Sequence, residues 1–229
     1  EPEDPRQESG AAVVVFGSDR GLCGPFNDRM ARYAARELAA GRGGHEAEVV
    51  AVGRRLASRL RAAGVEPRVR LPAPSSLDAL DVAVAELLGL VTAWRDEGRA
   101  ARLLLLYSRP AGATSFAPRT VQVLPIDADW LRQLREKPWP SRRVPMQLSD
   151  PRRLVAGVIR QRMALSFVKA FGSSLAAENA ARLAAMEAAS RNVEELLEQL
   201  RTAYHTARQA AVTEELLDIQ AAAAALEGS

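Results

Sequence analysis

Apolar and polar positions change period several times along the chain, and each change marks an element. Residues 11–17 (AAVVVFG) form a continuous, valine-rich apolar run closed by Gly17, which predicts a strand buried on both faces. The glycine-bearing stretch Ser18-Asp19-Arg20-Gly21-Leu22-Cys23-Gly24 predicts a tight turn, and Pro25 opens a helix expected from about Phe26 to Ala40. The rhythm then repeats. Glu48–Val52 reads as a strand, Gly53–Ala63 as a helix stopped by Gly64, and Glu66–Leu71 as a third strand. Ser76 caps a helix reaching about Arg95, Leu103–Tyr107 is the most apolar strand, and Arg119–Pro125 alternates as an edge or antiparallel strand does. Alternating strands and helices predict a mostly parallel sheet covered on both faces.

From Asp150 the period becomes helical and does not break. The Asp150 carboxylate can accept from a free N–H of the first turn, and Pro151 sits where a helix needs no N–H of its own. No proline follows, Gly157 and Gly172 are isolated, and Gly228 is the first stop signal. Such a helix, roughly 75 residues at about 1.5 Å each, would be about 110 Å long and could not be buried in an ordinary core. Met186, Ser190, Val193, Leu197, Leu200, Tyr204, Ala207 and Ala211 step by fours and threes, with Leu175 and Leu183 extending the stripe less regularly. This is a coiled-coil seam, which calls for a partner helix, and the chain encodes no second helix of that length. The expected organisation is a flexible leader at 1–10, a Rossmann-like three-layer α/β domain at 11–126, a connecting segment at 127–149, and the long helix at 150–229. Trp130, Trp139 and Met146 are the expected anchors of the connecting segment.

Composition narrows the classes. With 229 residues, 48% apolar and 26% charged, the chain can bury a sizeable core, and no uncharged apolar run is long enough for a membrane span. The start, Glu-Pro-Glu-Asp-Pro, resembles neither a signal nor a transit peptide, and its lack of Met suggests a fragment, a trimmed chain or a processed product. One cysteine excludes an internal disulfide and a cysteine-cluster metal site. The net charge is +3, with arginine supplying nearly all positive charge beside only Lys137 and Lys169. Dispersed arginine in an alanine-rich chain is not by itself a nucleic-acid footprint.

Candidate chemistry is sparse. Gly17, Gly21 and Gly24 follow a strand and precede a helix, where a phosphate loop would lie, but they do not make the dinucleotide or P-loop spacing. A structural turn built from Asp19, Arg20, Gly21, Cys23 and Gly24 is the preferred reading, with Asp19 and Arg20 serving as an ion pair or backbone cap. Cys23 at a helix start could be an activated thiol, yet His45 and His205 are far away in sequence and a buried cysteine is favoured. Glu178, Glu187, Glu194, Glu195 and Glu198 alternate with Arg182, Arg191 and Arg201 as a solvated helix face. No catalytic, metal-binding or cofactor-binding constellation is expected.

The turn at 18–24 followed by Phe26-Asn27, together with the run Ala207-Arg208-Gln209-Ala210-Ala211-Val212-Thr213-Glu214-Glu215-Leu216, resembles the gamma subunit of the F-type ATP synthase. Val52-Gly53-Arg54-Arg55, residues 121–125 (VQVLP) and residues 178–186 (ENAARLAAM) fall between them in family order, so the resemblance covers the chain after Gly10. Two departures stand out: Pro25 replaces an expected glycine, and the family's long N-terminal helix is absent. That missing helix would be the partner for the seam, its absence implying truncation, proteolysis or an unusual variant. No cysteine-pair insert is present, so thiol control of the chloroplast kind is not implied. The resemblance implies a non-catalytic central-stalk rotor that couples ion-driven rotation of a membrane c-ring to conformational change in catalytic beta subunits. Its implied partners are the alpha and beta subunits, the epsilon subunit and the c-ring, without nucleic acid. Arg208, Gln209, Thr213 and Glu215 would contact beta-subunit loops, Ala221–Leu226 would lie in an apolar bearing, and Met186, Val193, Leu197, Leu200 and Tyr204 would line the seam. The expected location is the cytoplasmic face of a bacterial plasma membrane, held there through the complex. Two alternatives remain open: a nucleotide- or phosphate-dependent α/β enzyme with a coiled-coil oligomerisation tail, and a free-standing coiled-coil adaptor.

Overall fold

A computed structural model describes residues 10–43, 47–74, 76–112, 114–139, 141–143, 146 and 150–227, with the side chains of Leu77 and of 221–227 left aside. The expected leader, apart from Gly10, and His45 therefore lie outside the described residues, as do the side chains of the expected bearing at Ala221–Leu226.

The elements run β1 (Ala11–Phe16), α1 (Phe26–Ala39), β2 (Ala47–Val52), α2 (Arg54–Ala62), β3 (Val69–Leu71), α3 (Leu77–Asp96), β4 (Arg102–Pro110), β5 (Phe116–Leu124), α4 (Ala128–Glu136) and α5 (Pro151–Glu227). The five strands form one sheet in the order β3-β2-β1-β4-β5. β1 pairs in parallel with β2 and β4, β2 pairs in parallel with β3, and β5 returns antiparallel along β4 as the edge. The sheet is thus mostly parallel, as the alternation of elements predicts, and the alternating run near Arg119 is the antiparallel edge.

Burial explains why β1 and β4 read as unbroken apolar runs. Successive side chains of a strand point to opposite faces, and both faces are covered. Ala11, Val13 and Val15 with Leu104 and Leu106 pack under α1 and α2, against Met30, Leu56 and Leu60. Ala12, Val14 and Phe16 with Leu103 and Leu105 pack on the other face, against Leu87, Val91 and Trp94 of α3.

The second face has another cover that the long-helix prediction did not include. Met163, Phe167, Ala170 and Phe171 of α5 join the α3 layer, with Phe167 fully buried. Phe171 meets Phe16 edge-on at 4.9 Å between ring centroids. Their spacing of four, three and one residues puts them on one helical face, so the beginning of α5 belongs to the core rather than to a free rod. The chain divides into two compact units, Glu1–Ala184 and Ala185–Ser229, with the boundary inside α5.

At 127–149 the structure departs from the expected plain connection. Asp127 caps a helix, α4, its carboxylate accepting from Asp129 N–H at 2.9 Å. The expected anchors are not buried: Trp130, Trp139 and Met146 are all exposed. Trp130 lies under the Arg162 guanidinium at 5.3 Å and Trp139 Nε1 donates to Arg143 O, contacts at the surface rather than in the core. Asp150 accepts from Arg152 N–H at 3.0 Å, the cap predicted for α5. No described helix is long and apolar enough to cross a membrane.

Candidate partner-contact site

The turn after β1 is built inward, around Asn27. Ser18 N–H donates to Asn27 Oδ1 at 3.0 Å, Asn27 Nδ2 donates to Ser18 Oγ at 2.8 Å, and Ser18 Oγ donates to Arg20 O at 3.0 Å. The buried Cys23 Sγ closes the group, 3.7 Å from Ser18 Oγ and 3.9 Å from Asn27 Nδ2. Ser18 and Asn27 are both buried polar residues, so each bond satisfies a group that water cannot reach. Ser18 opens the stretch expected to turn, but the residues expected to build it were Asp19, Arg20, Gly21, Cys23 and Gly24, not Ser18 or Asn27. The signal available in the sequence was the pairing of a serine after the first strand with an asparagine in the first turn of the following helix.

Two glycines let other backbone approach this turn. A Cβ on Gly17 would fall 2.4 Å from Leu56 Cβ and 2.8 Å from Asn27 Oδ1. Gly53 has φ +109°, and a Cβ there would meet the backbone of Ser18 at 2.8 Å. The α2 N-terminus therefore abuts the turn directly, and Asp19 binds it: Oδ1 accepts from Arg54 N–H at 2.6 Å, while Oδ2 accepts from Ala73 N–H at 3.2 Å. Arg54 Nε lies 3.8 Å from the same carboxylate. Asp19 thus supplies the cap that α2 lacks locally, since Gly53 has no side chain to do so. Leu22 sits in the left-handed region at φ 62° with its side chain mostly exposed.

The turn also meets α5. Cys23 and Phe26 pack with Phe116, Ala177 and Ala181, and the small side chains on α5 permit close approach. One residue after Ala177, the buried Glu178 receives Arg182 at 2.5 Å, while Arg182 also donates to Asn179 at 2.8 Å. The stretches 18–27 and 178–182, separated by more than a hundred residues in sequence, are therefore parts of one assembly. Beside them is a cavity of about 320 Å³ bordered by Phe16, Gly17, Leu80, Phe171, Ser174 and Leu175.

The Ser18 N–H that a phosphate would seek is already taken by Asn27, and Asp28 places negative charge in the first turn of α1. Among the described residues no group of three or more His, Cys, Asp or Glu side chains is gathered to hold a metal ion.

Within the second unit the expected seam is open. Met186, Val193, Leu197, Leu200 and Tyr204 are each about half exposed or more, and no residue from Ser190 to Gln220 is buried. His205 stacks on the adjacent Tyr204 at 5.7 Å between ring centroids, and the buried Cys23 is in the other unit. Arg208, Gln209, Thr213 and Glu215 are all exposed. Thr213 Oγ1 donates to Gln209 O at 2.8 Å, within the helix's own backbone. At about 100° per residue, Arg208 and Glu215 share one face, and Gln209 and Thr213 a neighbouring one.

A family model described as ATP synthase matches residues 1–226. Among solved structures, a rotor chain of the Euglena gracilis mitochondrial ATP synthase is 18% identical over 90% of this chain and 76% of its own, with a TM-score of 0.64. A chain from the OSCP/F1/c-ring structure of the same enzyme is 20% identical, covering 96% and 74%, with a TM-score of 0.69. A chain of the Tetrahymena thermophila mitochondrial ATP synthase central stalk and c-ring is 23% identical, covering 79% and 77%, with a TM-score of 0.58.

Proposed function

Since this chain belongs to the ATP synthase gamma-subunit family, we propose that it acts as the central-stalk rotor, turning with a membrane ring and imposing its orientation on the catalytic subunits around it. The observation that carries the reading is the open seam of Met186, Val193, Leu197, Leu200 and Tyr204, each about half exposed or more. Apolar side chains at coiled-coil spacing are stabilised by a facing helix. Here the proposed partner is the N-terminal helix of the gamma family.

A rotor must transmit torque without binding its sleeve tightly at any one angle. An alanine- and leucine-rich helix paired with a second helix is stiff. Its charged outer residues make shallow contacts that differ from one side to the other. As the shaft turns, each catalytic beta subunit meets a different side of it, and only those differences can shift the subunit between conformations. In this reading Arg208 and Glu215 on one face, and Gln209 and Thr213 on the next, are the groups that meet beta-subunit loops, while Ala221–Leu226 run in an apolar bearing. The alpha and beta subunits form the sleeve, and the epsilon subunit and c-ring lie at the foot. In this reading the catalytic groups belong to the beta subunits. Its proposed place is the cytoplasmic face of a bacterial plasma membrane.

Full-length tagged protein, purified from native membranes in mild detergent, is expected to bring alpha and beta subunits in fixed ratio. Their absence would favour a free-standing adaptor. Micromolar ATP or dinucleotide binding by the isolated chain, with turnover, would overturn the rotor reading in favour of an enzyme; the occupation of Ser18 N–H by Asn27 argues against that outcome.

A further inference from the structure

The arginines are not evenly paired. On the α1/α2 side of the sheet, Arg42 meets Glu37 at 3.3 Å and Arg59 meets Asp28 at 3.2 Å, and on the other face Arg68 meets Glu48 at 3.3 Å. Arg29, Arg32 and Arg36 are different. They follow one another at i, i+3 and i+7 along the exposed side of α1, and none has a carboxylate partner among the described residues. Two rest on rings instead, Arg29 over Phe116 at 4.5 Å and Arg36 over Tyr33 at 5.9 Å. Both acids of α1 are already engaged, Asp28 by Arg59 and Glu37 by Arg42 and Thr120, and α2 carries no acid at all.

The three guanidinium groups border one open groove of about 760 Å³ whose other walls include Tyr33, Ala63 and Pro118. Three cations with no carboxylate partner among the described residues, set around an aromatic and aliphatic floor, repel each other and attract an anion. A membrane surface is broad and suits a flat or convex cationic face, whereas a groove of this size suits a polypeptide segment. Arginine also favours carboxylates geometrically, through paired N–H groups.

We propose that the groove lined by Arg29, Arg32 and Arg36 is a docking site for an acidic segment of another protein chain, one presenting two or three Asp or Glu side chains around an apolar residue that rests on Tyr33 and Pro118. The inference stands on the groove itself; that the segment belongs to a neighbouring subunit of the same complex rests on the rotor reading.

Two measurements test it separately. A fluorescent peptide with Glu residues at helical i, i+3 and i+7 positions flanking leucine is titrated into the full chain at low salt. Binding is expected, and the exposed double variant Arg32→Glu/Arg36→Glu is expected to weaken it at least about tenfold. Equal binding by the variant, absence of binding, or a preference for phosphatidylglycerol vesicles over the peptide would overturn the proposal. In the assembled complex, Arg29→Lys, Arg32→Lys and Arg36→Lys retain the charge and add amines to a chain with only two native lysines, Lys137 and Lys169. Carbodiimide treatment should then join the new lysines to Asp or Glu of a second polypeptide. A complex that assembles and yields adducts only within this chain would defeat the inference while leaving the rotor reading intact. Failure of the complex to form around the chain, with peptide binding retained, would defeat the rotor reading alone.

Discussion

Asn27 ties the turn after β1 together from within. Its amide accepts from Ser18 N–H and donates to Ser18 Oγ, in a place where both residues are buried. Asn27→Ala would leave the Ser18 N–H without a partner and remove the donor to its hydroxyl. The expected loss is about 2–3 kcal/mol of unfolding free energy, read from urea titration of the full chain. Asn27→Asp keeps an acceptor for Ser18 N–H but replaces the amide donor with a buried carboxylate beside Asp28, so at neutral pH a loss at least as large as that of the alanine variant is expected. A loss under about 0.5 kcal/mol for the alanine variant would show that water replaces the amide readily. Away from this turn, Arg99 is held in a carboxylate pair. Its hydrogen bonds to Glu48, then to Glu97, hold the guanidinium pKa above its ordinary value.

The elements differ in how openly the sequence announces them. Strands β1 and β4 are legible because both of their faces are covered, which makes the apolar run continuous, and β5 is legible because one face alternates with partly exposed positions. Helix α4 is not, because its apolar residues Trp130, Leu131 and Leu134 remain exposed and its charges mask the period within a proline-bearing segment. The turn was legible as a turn, but its centre was not. Ser18 and Asn27 become a pair only when β1 and α1 fold back together, and contact between 18–27 and 177–182 is set by tertiary packing. The same limit applied to α5, whose uniform helical period conceals a change of environment. Phe167 is fully buried against the sheet, whereas Leu197 is about half exposed. Phe167→Ala should therefore cost about 3–5 kcal/mol, while Leu197→Ala in the same unpartnered chain should cost under about 0.5 kcal/mol, both read from chemical unfolding. Comparable losses at the two positions would mean that the seam is already covered in solution, by self-association or otherwise; sedimentation at two concentrations would distinguish these cases.

For the whole molecule, folding and coupling make separable demands. The core that fixes the sheet and the beginning of α5 lies in the unit Glu1–Ala184, while Arg208, Gln209, Thr213 and Glu215 are exposed in the unit Ala185–Ser229. A substitution at the latter positions removes surface chemistry without opening a cavity. Arg208→Ala with Gln209→Ala should therefore leave the unfolding transition within about 0.5 kcal/mol of the parent. In the rotor reading the same pair contributes angle-dependent contacts with beta-subunit loops, so the variant complex should lose ion-driven ATP synthesis, or assemble poorly, out of proportion to any change in stability. The informative quantity is the ratio of ion-driven synthesis to uncoupled hydrolysis in reconstituted vesicles. If the contacts transmit torque, synthesis falls further than hydrolysis. If they serve only assembly, complex yield falls while the ratio stays fixed. An unchanged ratio with unchanged yield would remove these residues from the coupling surface. A lost unfolding transition would instead show that the two units do not fold as separately as their internal packing implies.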